Sequence, residues 1–448
     1  MTKDYLSTRQ CPVQGAEAEL KAKLAALALA FEEAWLEAEG THPLQVLWRR
    51  QDGLACIELL NFGDAVERLH KESPSWLAGQ VHAIKTGDAG QSTGAVFEIL
   101  ALNLFSRQFC RVTPAPEGMP GFDGTLVLRD ESRVFVSIKN HGQSRPEQDF
   151  LKESAAFDAE FKAQLAAQGF NDAEINVLAH APMNAAAFGT LKTDIGNCLK
   201  DLKAGKMGGE LDRPFTIQIK GMAPQYPSLS AFGVSSCCRV MAPIAPNEQA
   251  NFNDAIRKGC ENLYKHTKNE TGDFCRMIIL RLSNTASIAK CHVWADWYFR
   301  EYPEEPVDII LLYQCAVTTN AGTDTSVLTH YVSVVTGSRF QSWQKKEDGS
   351  TRRLPTMSVL VGVISGDQPK LLLTSNGSTG VDISNYYMYQ RADVYLRAEP
   401  DTVAKLSNPA AGILIHAIFE KDGVQMMPPL SPKFGRDKIL GSRLTTSS

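Results

Sequence analysis

The chain has 448 residues, 44% hydrophobic and 21% charged, with a formal net charge of -4. That is enough chain for at least one large core and two or three domains, and the composition excludes a long disordered or low-complexity protein. The near-neutral charge neither recommends nor forbids a nucleic-acid partner; what it excludes is a chain that is strongly basic as a whole.

Ten cysteines are scattered along the chain, only Cys237 and Cys238 being neighbours, and no C-x-x-C pair occurs. A zinc ribbon or thioredoxin-like motif is therefore not expected, and reduced, buried thiols in a cytosolic protein are. Met1 to Gly15 has no basic-then-apolar leader pattern. The apolar run Leu24 to Phe31 is flanked by Lys21, Lys23, Glu32 and Glu33 and is too short to cross a bilayer. The expectation is a cytoplasmic protein with no membrane partner.

Residues 16–39, rich in Ala, Leu, Glu and Lys, read as one helix stopped at Gly40. A second helix is expected over Asp64 to Glu72, with Pro74 beyond it and a Gly/Thr/Asp/Ser-rich loop from Thr86 to Gly94. Residues 1–85 form a helical accessory region on this reading. Gly94 to Phe105 (GAVFEILALNLF) is apolar on nearly every side and predicts a buried helix with a single acid, Glu98. Strands follow at Phe109 to Thr113, Phe122 to Arg129 and Val134 to Lys139, the last two as a hairpin turning near Asp130 to Ser132. Helix, strand, helix and strand are expected at 148–168, 175–181, 185–204 and 215–220, which makes 86–225 one α/β unit. Ala223 to Ser236 reads as a linker. Residues 236–350 read as a second α/β domain, with helices at 251–266 and 286–301 and strands at 277–282, 307–313 and 329–335. Residues 354–448 read as a β-rich region.

Hydrolysing a phosphodiester at neutral pH requires an activated water and a sink for charge in the transition state, and carboxylates holding a divalent cation provide both. A β-hairpin can assemble such a site if one strand opens on an Asp and its partner ends in acid-x-Lys, because period-2 alternation puts that acid and lysine on one face. Asp123 opens the first strand (GFDGTLVLR), and Ser137, Ile138 and Lys139 end the second (VFVSIK). Glu98 is the misfit in its apolar helix, and a buried carboxylate without a partner is costly.

The pattern E-(x23)-F-D-G-(x12)-S-I-K resembles the PD-(D/E)XK nuclease superfamily, which includes restriction endonucleases, resolvases and repair or defence nucleases. The resemblance covers about residues 90–182. It implies a mixed sheet flanked by helices, with Glu98 and Asp123 as metal ligands and Lys139 as the catalytic lysine. The Ile138 carbonyl would be a further metal contact. Ser137 stands where the superfamily has an acid, and Phe122 where a proline often precedes the aspartate. The implied cofactor is Mg²⁺, with Mn²⁺ as a substitute, and the implied partner is DNA, with RNA left open. Asn140, His141, Gln143 and Arg145 follow the motif as weaker candidates for contact with substrate phosphates, against the plainer reading of solvated loop residues. One metal site per chain makes a homodimer one way to cut both strands.

No P-loop or H-E-x-x-H motif occurs. Gln218-Ile219-Lys220 and Asp308 repeat fragments of the motif without the rest of it. Trp294, Trp297, Tyr298 and Phe299 share one helix and are expected in the core or an interface rather than on a base-stacking surface. Residues 85–220 hold 15 Lys/Arg against 17 Asp/Glu, so a phosphate grip would have to come from Lys345, Lys346, Arg352 and Arg353 or from the basic tail. The function expected is a Mg²⁺-dependent DNA endonuclease, with a restriction or anti-invader role implied by the resemblance. The alternative is a non-catalytic nucleic-acid-binding or assembly module on the same fold.

Overall fold

The computed structural model describes residues 4–9, 17–51, 53–105, 110–116, 118–119, 121–168, 174–203, 211–213, 215–220, 237–283, 286–320, 325–346, 348–352, 356–358, 363–365, 370–375, 386–390, 394–399, 415–420 and 423–427. It is an α/β protein in which a mixed sheet is flanked by helices, with a helical region before it and a second sheet beside it. The proposed linker 223–236 and the basic tail from Lys433 onward lie outside the described residues.

Six helices come first: α1 (Glu17–Phe31), α2 (Glu33–Glu37), α3 (Pro43–Arg49), α4 (Gly53–Glu72), α5 (Pro74–Thr86) and α6 (Ala89–Asn103). Leu20, Leu24, Leu27 and Phe31 recur at helical spacing on α1 and are buried against Leu59, Leu60 and Phe62 of α4. The expected single helix over 16–39 is broken at Glu32, whose φ of 64° no helix contains. Helix propensity along the segment is uniformly good, so local sequence does not call for the break; at this point Glu32 pairs with Lys85 of α5 at 2.9 Å. The expected loop over 86–94 is only a short joint. Pro74 opens α5 rather than ending a helix, as proline at a first helical position can, and Asp88 caps α6 by accepting the Gln91 N–H at 2.9 Å.

The main sheet contains β1 (Cys110–Pro114), β2 (Gly124–Leu128), β3 (Arg133–His141), β8 (Phe274–Leu282), β9 (Ile309–Asn320) and β10 (Thr325–Thr336) in that order, with Val363–Ser365 at the far edge. β1, β2 and β3 are antiparallel, β3, β8 and β9 are parallel, and β9 to β10 is antiparallel again. Strand alternation divides the core into two layers. Val134, Val136, Met277, Ile279, Ile309 and Leu311 face α6, whereas Phe135, Ile278, Leu280, Ile310 and Leu312 face two later helices, α9 (Glu248–Thr267) and α10 (Ile288–Glu301). A strand buried on both faces reads as a continuous apolar run, which is why MIILRL and VDIILLY look as they do. Tyr298 is fully buried in this layer, in keeping with a core role for the aromatic helix.

Between β3 and β8 the chain leaves the sheet. It forms α7 (Arg145–Gln168), β4 (Glu174–Ala179), α8 (Ala185–Lys203), β5 (Leu211–Arg213), β6 (Phe215–Lys220) and β7 (Cys237–Pro243). Strands β4 to β7, with Tyr386–Gln390, make the second sheet over a core of its own. The span 86–225, grouped as one unit from its element order, thus divides between two sheets, because β3 finds its parallel partner only at β8. The described cysteines include seven buried thiols, Cys56, Cys110, Cys198, Cys238, Cys260, Cys275 and Cys291.

Of the basic loop expected to grip phosphate, Lys345 is exposed and Arg353 lies outside the described residues, while Lys346 and Arg352 are engaged within the protein. Arg352 is 7% exposed and pairs with Asp130 at 3.1 Å and also with Asp273, while Lys346 pairs with Asp130 at 2.8 Å. These pairs tie the β2–β3 turn to the start of β8. Truncating Arg352→Leu should destabilise the fold by roughly 1–3 kcal/mol, since Asp273 loses its pairing with a buried guanidinium and Asp130 is left with Lys346. Urea unfolding measures this; a loss of nucleic-acid affinity with stability unchanged would restore the phosphate-grip reading.

Candidate active site

Strand β2 stops at Gly124, opposite Val136, while β3 continues to His141. Just before the stop, the Asp123 N–H donates to Val136 O at 2.9 Å, and its own carbonyl accepts from Ala115 N at 3.1 Å. The next β3 amide on this side, Ile138 N–H, has no strand to meet and donates to the Asp123 carboxylate Oδ2 at 2.5 Å. One side chain therefore completes the ladder where the backbone has left it. In a strand the N–H and C=O of a residue point to the same side, so the Ile138 carbonyl opens onto the same gap.

The approach to Asp123 needs a glycine. Gly121 has a φ of 79°, and a Cβ there would lie 2.3 Å from Asn262 Nδ2 on α9. Phe122 is then set between Phe135 and His266, with ring centroids 5.9 and 6.2 Å away.

Glu98, on α6, lines the same cleft as Asp123, and both feel the charge of Lys139 on β3. Burial first, and then the Asp123 charge, pushes the Glu98 carboxyl up to about 7, against the pull of Lys139 and of the Gln80 amide. Gln80 Nε2 donates to Glu98 Oε2 at 3.0 Å. Asp123 is also raised, by burial, with Lys139, the Ile138 N–H and the Ser137 hydroxyl holding it back. Two half-buried carboxylates that share a cleft repel, and a proton or a cation relieves the repulsion. Ser137 shares the Lys139 face of β3. Its hydroxyl is fully buried and close enough to act on Asp123, yet Oγ has no hydrogen-bond partner in good geometry.

These groups suit a hard divalent cation. Two carboxylates, a strand carbonyl and an orphaned hydroxyl are all oxygen donors, and Mg²⁺ is commonly held by one or two carboxylates with water completing its shell. Among the described residues no group of three or more His, Cys, Asp or Glu side chains converges, so Ser137 leaves the set one carboxylate short of the acid-x-Lys pattern.

The remaining sequence candidates are not all at this point. His141 lies on the Lys139 face but is turned into a junction where it packs edge-on against Phe252 at 5.5 Å, beside Glu248; burial pushes its pKa down. Asn140 and Arg145 are exposed, and Arg145 pairs with Asp149 at 3.8 Å. The Gln143 carbonyl accepts from Gln148. Lys220 belongs to the second sheet, and Asp308 accepts the Arg276 N–H and pairs with Arg339.

Sequence reasoning missed α5. A cleft of about 750 Å³ opens on Glu98 and Asp123, with Trp76, Gly79 and Gln80 of α5 facing Gly118, Met119 and Phe122 of the loop before β2. The signal was available in Ser73-Pro74, a helix start, followed by buried Leu77 and Ile84 at helical spacing.

A carboxyl whose pKa is raised in the folded state stabilises the fold fully below its unfolded value of about 4.5, and that stabilisation is lost as pH rises through about 7. In EDTA at pH 8, Glu98→Gln should therefore be more stable than the wild type, by on the order of 2 kcal/mol. At pH 4.5 the two should agree. Mg²⁺ at pH 8 should raise the melting temperature of the wild type and not of the variant. Thermal melts across this pH range check all three; a gain from Glu98→Gln that persists at pH 4.5 would remove the titration from the explanation.

No protein-family model matches this sequence and no curated protein matches it.

Proposed function

We propose that the chain is a Mg²⁺-dependent DNA endonuclease with a PD-(D/E)XK-type core, Mn²⁺ serving as a substitute ion. The observation that carries this reading is the convergence of two half-buried, mutually repelling carboxylates, Glu98 and Asp123, on one cleft at the open end of a hairpin, within the field of Lys139. The element order supports it. With residues 144–247 set aside, α6, β1, β2, β3, α9 and β8 run helix, three antiparallel strands, helix and a strand parallel to the third.

Glu98 and Asp123 would hold the ion, together with the Ile138 carbonyl, and Ser137 would offer a weak oxygen donor where an acid is usual. A bound divalent ion supplies Lewis acidity and lowers the pKa of a coordinated water. Lys139 orients the attacking water and offsets charge developing on the phosphate. Gln80 keeps the Glu98 carboxylate aimed into the cleft. A restriction or anti-invader role is the setting implied by the resemblance, and cutting both strands with one site per chain calls for two copies.

Ser137 is also the observation that favours the second reading, a non-catalytic nucleic-acid-binding or assembly module on the same fold. Incubating plasmid, linear duplex and single-stranded circular DNA with Mg²⁺, Mn²⁺ or EDTA separates the two. Metal-dependent cutting is expected, with Asp123→Ala and Lys139→Ala each lowering it by at least about a thousandfold. Ser137→Asp should tighten Mg²⁺ binding and raise the rate at low metal concentration. Binding that survives both alanine substitutions, with no cutting under any metal, would leave only the second reading.

A further inference from the structure

The cleft beside Glu98 and Asp123 has features that the ion-binding groups do not explain. Gly79 stands near the middle of α5, where only proline is a poorer helix former. A Cβ at Gly79 would meet no protein atom within 4 Å, so no close contact within the protein calls for the glycine. It does keep the cleft wall low where a ligand would approach the helix. On the opposite wall Gly118, with a φ of 83°, likewise leaves open space.

Trp76 precedes Gly79 by three residues, so the two share one side of α5. It packs partly against both core clusters while lining the cleft, which gives it a fixed aromatic surface. Phe122 lines the other side, held by Phe135 and His266. Met119, 39% exposed, adds an adaptable apolar contact at the rim. A cleft of about 750 Å³ lies in the size range that encloses one small molecule, so its walls reach a base only when that base is out of a duplex stack.

We propose that this cleft takes an unpaired nucleic-acid strand, with a base stacked on Trp76 over the Gly79 wall and the adjoining phosphodiester at Glu98 and Asp123. The proposal rests on the phosphodiesterase reading of those carboxylates and names its substrate class. Aromatic stacking accepts any base, so the cleft selects for strandedness more than for sequence.

The test is fluorescence anisotropy with labelled oligo-dT, oligo-rU and a blunt duplex of the same length, in Ca²⁺ and in EDTA, for the wild type and for Trp76→Ala, Gly79→Leu and Asp123→Ala. The wild type should bind at least one single strand about tenfold or more tighter than the duplex, and the dT and rU arms tell DNA from RNA. Trp76→Ala should lose about tenfold of that affinity. Gly79→Leu should lose as much while its melting temperature stays level or rises, which separates a filled cleft from a damaged fold. Equal or tighter binding of duplex, single-strand affinity untouched by both cleft substitutions, or no binding of any oligonucleotide would overturn the proposal. Asp123→Ala should abolish any effect of Ca²⁺ on the single-strand preference. If that preference stands while no metal supports cutting, the nuclease reading fails and the cleft assignment survives.

Discussion

Arg133 to His141 lies in parallel register with Phe274 to Leu282 over the whole length of both strands, and the rest of the molecule is arranged around that pairing. It makes β3 an interior strand whose alternate side chains are committed to opposite layers, Val134, Val136 and Ile138 to one and Phe135 to the other. Parallel neighbours require a crossover, and here the crossover is long enough to build a second sheet before α9 returns the chain. On its other side β3 is paired only as far as Val136, because β2 ends at Gly124. A strand fully paired on one side and open on the other presents unused backbone groups in a rigid setting, and the acidic cluster forms at that point.

The electrostatics of the cluster follow from burial more than from any one contact. Glu98 and Asp123 are raised by desolvation first, and Lys139 tempers both without an ion pair forming to either among the described residues. Such a cluster stores repulsion that a cation relieves, and the protein holds it because other residues of α6 anchor the helix. Phe97 is buried and stacks on Tyr313 at 5.6 Å, and Asn103 is tied to Asp64 at 2.9 Å. The stability given up at one residue is recovered by the apolar face of the helix, where each buried large side chain contributes roughly 1.5–3 kcal/mol.

One carboxylate bridges the two sheets. Glu248, 7% exposed at the start of α9, accepts from the hydroxyls of Ser144 and Tyr387, and Tyr387 in turn accepts the Ala245 N–H at 3.2 Å. The exit from β3, the entry to α9 and the strand Tyr386–Gln390 therefore meet within a few ångströms of His141. This explains why a histidine two residues beyond Lys139 is turned away from the cleft, since the junction supplies both its aromatic neighbour, Phe252, and its charged one.

How much of this was legible beforehand depends on whether the deciding physics was local. The apolar runs of β8 and β9, the hairpin of β2 and β3, and the conspicuous acid in α6 are written in period and composition. From them the sequence by itself determined an α/β protein and a candidate set of Glu98, Asp123 and Lys139. Local signals do not say which strands pair at long range, so the division of 86–225 between two sheets was decided only when β3 met β8. Nor do they measure desolvation, and the raised Glu98 carboxyl, the orphaned Ser137 hydroxyl and the burial of Arg352 between Asp130 and Asp273 belong to tertiary structure alone. The cleft is of the same kind. Trp76 and Gly79 are unremarkable in a short helix, and they become a wall only because α5 packs across from the glycine-rich loop that leads to Asp123.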